Sequence, residues 1–224
     1  MSKSWTISKL NLKQIKPAYF ITGLVFILML ASYITFLFVP VNADNSTVSL
    51  WNTITLLPIF AAILIPSNNL RKTINLGAKR SDFLKGSVLT YIILSALTAL
   101  VIVIFHFAVD QYLKFGVLDM FVAFGFFSHN VIITFIQIFA FLLFFSAFVH
   151  TLVMTQDRWY GWLIDLLIIA IISVFTPITI LRRALVWFFN LIIFGNTAWQ
   201  IISCIVLAAI IYYLSKPILN RKKM

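Results

Sequence analysis

Few side chains of this 224-residue chain are suited to chemistry. The sequence contains six acidic residues, all of them aspartate, so glutamate-dependent metalloproteases of the HExxH kind are excluded. Its histidines, His106, His129 and His150, are expected at different depths of a membrane. We therefore expect each to be an ordinary hydrogen-bonded histidine, and we expect none to meet carboxylates at metal-ligand spacing.

Other catalytic and nucleotide-binding patterns are missing from the sequence as well. It has no GxSxG nucleophile elbow and no GxxxxGK[ST] phosphate-binding loop. The single cysteine, Cys204, lies in an apolar run and is predicted to serve packing. We therefore predict a chain that is not an enzyme and binds no cofactor itself. Any ATP-driven function would need a separate ATPase subunit.

Two polar residues fall inside apolar segments and are candidates for a cargo path. Asp165 lies in the run RWYGWLIDLLII, and a charge at that depth costs several kcal/mol unless it is paired or hydrated. It either lines a cavity or extends toward the interface, where Arg158 lies. Gln137 is uncharged, and we expect it to hydrogen-bond to a neighbouring helix.

The elements that must position these residues are membrane helices. Hydrophobic residues make up 62% of the chain and charged residues only 10%, a composition that no soluble domain of this length shows. The prediction is an all-α polytopic membrane protein with a single transmembrane domain over residues 1–224. Apolar length gives six spans, at about 18–39, 49–66, 87–109, 128–154, 159–180 and 197–215.

The basic residues predict the orientation of these spans. With the N-terminus placed inside, fourteen of the seventeen Lys and Arg fall in inner segments. Such a bias predicts that both termini are cytoplasmic. The net charge of +11 is then a topology signal and an attraction to anionic membrane lipids, and we predict no nucleic-acid partner.

Two segments outside the spans are predicted to lie at the membrane surface. Residues 1–17 read as an amphipathic interfacial helix, because Lys9, Lys13 and Lys16 fall on one side of it and apolar residues on the rest. Residues 181–196 contain an apolar run too short to cross, which predicts an outer re-entrant hairpin between spans five and six. The alternative is that this run starts one long, tilted sixth helix.

The most polar internal segment, here called the elbow, comprises residues 67–86. We expect Pro66 to end span two and Ser67 or Asn68 to cap a short helix. Gly77 is placed to end that helix. Ser81 is expected to cap the next helix, with Asp82 in its first turn. The elbow is therefore predicted to be an ordered, basic helix–turn–helix on the cytoplasmic side.

The run LGAKRSDFLKG, residues 76–86, resembles the LGxSRxxFxxG run of type-2 ABC transporter permeases. It departs from that run at Lys79, where the family often has serine. In that family the run lies between spans two and three and docks into the ATPase subunit. The wider plan is also similar, with an interfacial N-terminal helix, six spans and an outer re-entrant hairpin.

The resemblance implies the permease subunit of a bacterial plasma-membrane exporter. It would pair with a second permease copy and with ATPase subunits that bind ATP and Mg²⁺, and move a hydrophobic or amphipathic peptide or lipid-like cargo outward. The residues assigned to ATPase coupling are Arg71, Lys72, Leu76, Gly77, Lys79, Arg80, Asp82 and Phe83. The basic ones suit an acidic partner surface, and Leu76 or Phe83 would supply an apolar anchor.

Two other functions stay open at the level of the sequence. One is a non-transporting membrane protein, such as an assembly or immunity partner, in which the basic loop only fixes topology. The other is a small secondary carrier that uses Asp165 to couple transport to an ion gradient.

Overall fold

The computed structural model describes residues 3–38, 46–110, 116–156, 159–175 and 177–221. Within these ranges the fold is a bundle of α-helices, as predicted. The helices are α1 (Lys3–Gln14), α2 (Lys16–Phe38), α3 (Leu56–Leu64), α4 (Leu70–Asn75), α5 (Arg80–Ala108), α6 (Met120–Ala123), α7 (Val131–Thr155), α8 (Trp159–Phe175), α9 (Thr179–Phe189) and α10 (Thr197–Arg221).

Five helical segments of the described chain are long and apolar enough to cross a membrane. They are Lys16–Thr35, Leu50–Asn75, Arg80–Ala108, Val131–Thr155 and Thr197–Leu219. A polytopic membrane protein is therefore confirmed. The predicted fifth span corresponds to α8, which is apolar but has only 17 residues.

The second span differs from the prediction at its end. A 3₁₀ segment (Leu50–Thr55) leads into α3, and Pro66 lies within a π-helical turn (Ile65–Asn69) that continues directly into α4. The prediction that Pro66 ends the span was wrong. A π turn widens the backbone spacing and so relieves the clash that a proline ring causes in a regular α-helix.

Two very short strands are added to the all-α fold. Strand β1 (Ser46–Val48) pairs in parallel with strand β2 (Gly116–Leu118), with Thr47 opposite Val117. The backbone N–H of Ser49 then donates to the carbonyl oxygen of Leu118 at 2.9 Å. This ladder joins the segment before span two to the segment after α5.

Helix α1 packs directly against the start of α5, a contact that the sequence did not predict. Ile7 is buried over Gly86, where a Cβ atom would lie 2.6 Å from the Ile7 Cγ2. The hydroxyls of Thr90 and Ser8 share a hydrogen bond of 3.1 Å. The buried face of α1 therefore carries the polar Ser8 beside the apolar Ile7, and these contacts tie α1 to the bundle.

The core lies where α5, α7 and α10 meet. Tyr91 of α5 and His150 of α7 share a hydrogen bond of 2.8 Å, with both side chains buried. Tyr212 of α10 stacks on Tyr91 with ring centroids 6.1 Å apart. These contacts join the three helices through buried polar groups, which is how spans associate where water is scarce.

The predicted alternative of one long final helix is wrong. Helix α9 continues through a π-helical segment (Asn190–Phe194), and the chain is extended at Gly195 before α10 begins. Ile192 packs back on α10, where the Cys204 thiol approaches the Ile192 carbonyl oxygen at 3.7 Å. Residues 179–194 are thus a separate helical arm folded against α10.

Candidate functional site

The elbow turns at Gly77, as the sequence predicted. Gly77 has a φ of 82°, a left-handed conformation that costs other residues free energy because of their Cβ atom. Its N–H donates to the Ile74 carbonyl at 2.8 Å, and the Ala78 N–H donates to the Thr73 carbonyl at 3.3 Å. This hydrogen-bond pair is a Schellman motif, which ends α4 sharply.

The predicted N-caps of the two elbow helices, Ser67 or Asn68 and Ser81, are wrong, whereas the predicted position of Asp82 is correct. The Ser67 hydroxyl donates back to the Ile63 carbonyl at 2.8 Å, within a continuing helix, and is not an N-cap. Helix α5 begins two residues earlier than a Ser81 cap would allow, with Lys79 at the N-cap. Asp82 does lie in the first turn of α5, where a carboxylate interacts favourably with the helix dipole.

Four of the predicted coupling side chains point away from the bundle. Leu76 is 74% exposed, a large value for an apolar residue at a turn. Arg71, Lys72 and Lys79 are also exposed. They flank Leu76 on both sides in sequence, so the turn presents an apolar tip between basic side chains.

Two other predicted coupling residues face the protein instead. Phe83 is completely buried, so its prediction as an anchor for a soluble partner was wrong, because it packs in the core beneath the turn. The Arg80 guanidinium donates to the Leu219 carbonyl at 3.0 Å. This carbonyl belongs to the last turn of α10, where carbonyl groups lack helical partners and favour a cation.

The elbow as a whole is strongly basic. Residues 67–86 contain five Lys and Arg and a single acid, Asp82. Like charges so close together repel one another unless salt or an anionic surface compensates them. The surface around Leu76 is therefore suited to an acidic protein face or to anionic lipid.

The two candidate cargo-path residues have separate surroundings. Gln137 of α7 donates to the Gln200 Oε1 of α10 at 2.8 Å, in a buried contact, so its predicted hydrogen bond to a neighbouring helix is confirmed. Asp165 of α8 accepts from the Gln156 Nε2 at 2.8 Å in an exposed hydrogen bond, and Asp165 itself is half-buried. Its proposed partner Arg158 lies outside the described residues. No hydrogen bond in the described chain joins Asp165 to Gln137.

The prediction that no histidine meets carboxylates was wrong for His106. At the end of α5 remote from the elbow, the His106 Nδ1 lies 3.9 Å from Asp110 and 3.7 Å from Asp119. The sequence signal was present in part, since His106 and Asp110 are four residues apart, one helical turn. Asp119 could not be placed beside them before the chain reversal after α5 was known.

Asp110 is held by several hydrogen-bond donors. The Ser49 hydroxyl donates to its Oδ2 at 2.9 Å, and the Trp51 indole N–H donates to its Oδ1 at 3.2 Å. Burial raises the pKa of Asp110, and the two donors and His106 oppose that effect, while the nearby Asp119 adds to it.

The other two histidines fit the prediction of ordinary hydrogen-bonded residues. His129 contacts the Thr197 hydroxyl at 2.6 Å through its Nε2, and His150 forms a hydrogen bond with Tyr91.

Comparison with known proteins does not identify a family for this chain. No protein-family model matches the chain, and neither a curated protein nor a solved structure matches it.

Proposed function

We propose that this chain is the membrane permease subunit of an ATP-driven exporter, and that a separate ATPase subunit docks on the elbow. The observation that carries this proposal is the exposed tip at Leu76, set between Arg71, Lys72 and Lys79 on a fixed Schellman turn. A loop that only fixed topology would need the basic charges but no ordered turn and no exposed apolar tip.

The mechanical setting of the elbow supports the proposal. On one side α4 continues the helical segment that begins at Leu50, and on the other side α5 starts directly after the turn. Arg80 adds a contact to the end of α10. Force applied to the elbow would therefore reach three membrane-spanning helices as rigid elements, which is what coupling to ATP-driven motion requires.

The apolar tip at Leu76 and the basic residues beside it indicate which kind of partner surface would bind the elbow. A soluble subunit with a shallow apolar pocket for Leu76, rimmed by Asp and Glu, would bury an apolar anchor inside a ring of ion pairs. The similarity of residues 76–86 to the docking run of type-2 ABC transporter permeases agrees with this assignment. ATP and Mg²⁺ would be bound by the partner.

The finer topology belongs to the same proposal. The elbow and both termini are cytoplasmic, in agreement with the distribution of Lys and Arg. Helix α8 provides a sixth crossing, with a 17-residue length that suits a local thinning of the bilayer. The arm at residues 179–194 enters the outer leaflet without crossing.

The assembly is a dimer of permease subunits in a bacterial plasma membrane, with lipid around its apolar faces. The cargo is hydrophobic or amphipathic, either a peptide or a lipid-like molecule, and it moves outward. The abundance of apolar side chains and the scarcity of charge in the spans support such a cargo.

A pull-down with matched charge reversals tests the proposal. The tagged protein is purified from its native host in mild detergent, and bound proteins are identified by mass spectrometry. We expect a protein with a phosphate-binding loop that hydrolyses ATP. The triple variant Arg71→Glu, Lys72→Glu, Lys79→Glu should lose it.

The control is the triple variant Lys9→Glu, Lys13→Glu, Lys16→Glu. It changes the charge equally, on exposed residues at the same end of the bundle, and should retain the ATPase. Loss of the ATPase in both variants alike, or its absence from the wild type, would contradict docking at the elbow.

A further inference from the structure

His106, Asp110 and Asp119 converge at the end of the bundle remote from the elbow. Each offers one ligand atom, and these atoms all lie within 4.8 Å of one another. All three residues are buried. They come from two parts of the chain, the end of α5 and the residue that precedes α6, so the cluster closes the reversal between those helices.

Two polar atoms in this cluster have no hydrogen-bond partner among the residues that the structure describes. They are the His106 Nδ1 and the Asp119 Oδ2, which face each other at 3.7 Å. That separation is too long for a direct hydrogen bond. Only 2% of the Asp119 side chain is exposed, and a buried carboxylate oxygen without a partner is costly unless a cation or a water occupies the gap.

The geometry points to a binding site for a divalent transition-metal cation, Zn²⁺ or Mn²⁺, between His106, Asp110 and Asp119. The His106 Nδ1 lies 3.9 Å from the Asp110 Oδ2 and 3.7 Å from the Asp119 Oδ2. Nitrogen and oxygen ligands bind Zn²⁺ at roughly 2.1 Å, which allows a separation of up to about 4.2 Å across the ion. Both separations from the His106 Nδ1 are therefore compatible with a cation that the imidazole shares with each carboxylate.

The charge of the cluster and the type of its ligand atoms both favour a divalent transition-metal cation. Two carboxylates and a neutral imidazole carry two negative charges, which a divalent cation neutralises. Imidazole nitrogen combined with carboxylate oxygen suits Zn²⁺ and Mn²⁺ better than Ca²⁺ or Mg²⁺, which take oxygen ligands. Three protein ligands leave coordination positions open for water or another ligand.

The surrounding residues already orient the ligands. The Asp119 Oδ1 accepts from the backbone N–H of Phe121 at 2.7 Å, which leaves its Oδ2 directed toward His106. Ser49 and Trp51 fix the Asp110 carboxylate. Such supporting hydrogen bonds usually accompany metal ligands and fix their orientation.

Aromatic rings wall the cluster and limit its access to water. The Phe127 ring stacks on His106 with centroids 3.5 Å apart, and Trp51 stacks on Phe105 at 3.8 Å. The His106 side chain is still 11% exposed, which leaves an edge through which an ion can enter. A bound ion would fasten the end of α5 to the start of α6 and, through Ser49, to the start of span two.

Metal binding can be measured on the full chain in detergent, without any transport assay. The protein is stripped with EDTA, titrated with ZnCl₂ and separately with MnCl₂ by calorimetry, and its bound metal is counted by mass spectrometry. We expect one ion per chain with one of these metals, and a higher melting temperature when it is bound.

The informative variant is Asp119→Asn, because the amide oxygen still accepts from the Phe121 N–H while the charged ligand is lost. It should fold and should bind the metal at least about tenfold more weakly. Asp165→Asn removes an acid from α8, which contributes no residue to the cluster, and should bind the metal as the wild type does.

Three results would overturn the site. The first is that neither metal binds stoichiometrically. The second is that the wild type and Asp119→Asn bind the metal with equal affinity. The third is that the melting temperature responds to pH but not to metal. The last result would show that the three side chains compensate one another without a cation. None of these outcomes depends on whether an ATPase docks at the elbow.

Discussion

The Arg80 guanidinium donates a hydrogen bond of 3.0 Å to the carbonyl oxygen of Leu219, a residue 139 positions away in the sequence. Arg80 opens the third membrane-spanning segment, and Leu219 lies in the last turn of α10. The contact therefore joins the elbow to the far end of the chain. It places a fixed positive charge where the helix dipole of α10 is negative.

Replacing Arg80 should loosen the end of α10. We expect Arg80→Ala to lower the free energy of unfolding by about 1.5 kcal/mol, since a charge-assisted hydrogen bond to a partly buried carbonyl is lost. Thermal unfolding in detergent measures this effect. Arg71→Ala, which removes an exposed arginine of the same elbow, should change stability little. Equal effects of the two substitutions would refute the role given to Arg80.

The two glycines with positive φ provide a matched pair at the two ends of the bundle. Gly77 has a φ of 82° and Gly125 a φ of 77°, and no atom would clash with an added Cβ at either position. Each alanine substitution should cost roughly 1 to 2 kcal/mol of stability from backbone strain alone. Denaturant unfolding should show similar losses for Gly77→Ala and Gly125→Ala.

ATPase binding should differ between these two glycine variants. Because Gly77 shapes the elbow, Gly77→Ala is expected to weaken ATPase binding, whereas Gly125→Ala should leave it unchanged. Similar ATPase binding in both variants, measured at matched stability, would show that the turn at Gly77 does not position a docking surface.

The buried hydrogen bond between Gln137 and Gln200 should be visible in a double-mutant cycle. Gln137→Leu or Gln200→Leu alone leaves the other amide buried without its partner, which should cost about 1 to 2 kcal/mol. The double variant should recover part of that loss, with a coupling energy of about 0.6 kcal/mol as found between membrane helices. Strictly additive losses in unfolding measurements would show that the two side chains do not interact.

The close approach of α1 to α5 at Gly86 should make that position intolerant of larger residues. A Cβ at Gly86 would lie 2.7 Å from the Ile7 Cβ. Gly86→Val should therefore displace α1 from α5 and loosen its backbone, so that trypsin cleaves after the exposed Lys9 faster than in the wild type. Gly23→Val, where nothing lies within 4 Å of the added Cβ, is the control. Unchanged cleavage in Gly86→Val would contradict the observed packing.

Features set by local sequence were predictable from the chain alone. Apolar length located the five helical segments that are long enough to cross a membrane, and the need for a residue with positive φ identified Gly77 as the turn. The end of span two was not predictable, because the sequence gives no sign that the chain will adopt a π turn around Pro66. Proline rules for a regular α-helix then give the wrong boundary.

Features that depend on tertiary packing were mispredicted for a common reason. Phe83 lies in a polar segment, yet one face of α5 there is covered by α1 and the core, so its side chain is buried. Asp119 is nine residues beyond Asp110, and only the reversal of the chain brings its carboxylate to His106. Helical periodicity within one segment carries no information about such contacts.

The most direct test of ATPase docking is photo-crosslinking from Leu76 in the native membrane. A photoreactive amino acid is placed at Leu76, which is 74% exposed, and separately at Leu118, which is 61% exposed at the other end of the bundle. If the elbow is the docking surface, the probe at Leu76 forms a covalent adduct with an ATPase that has a phosphate-binding loop, and the probe at Leu118 does not. Adducts of Leu76 with lipid alone, or an ATPase adduct from Leu118, would contradict docking at the elbow.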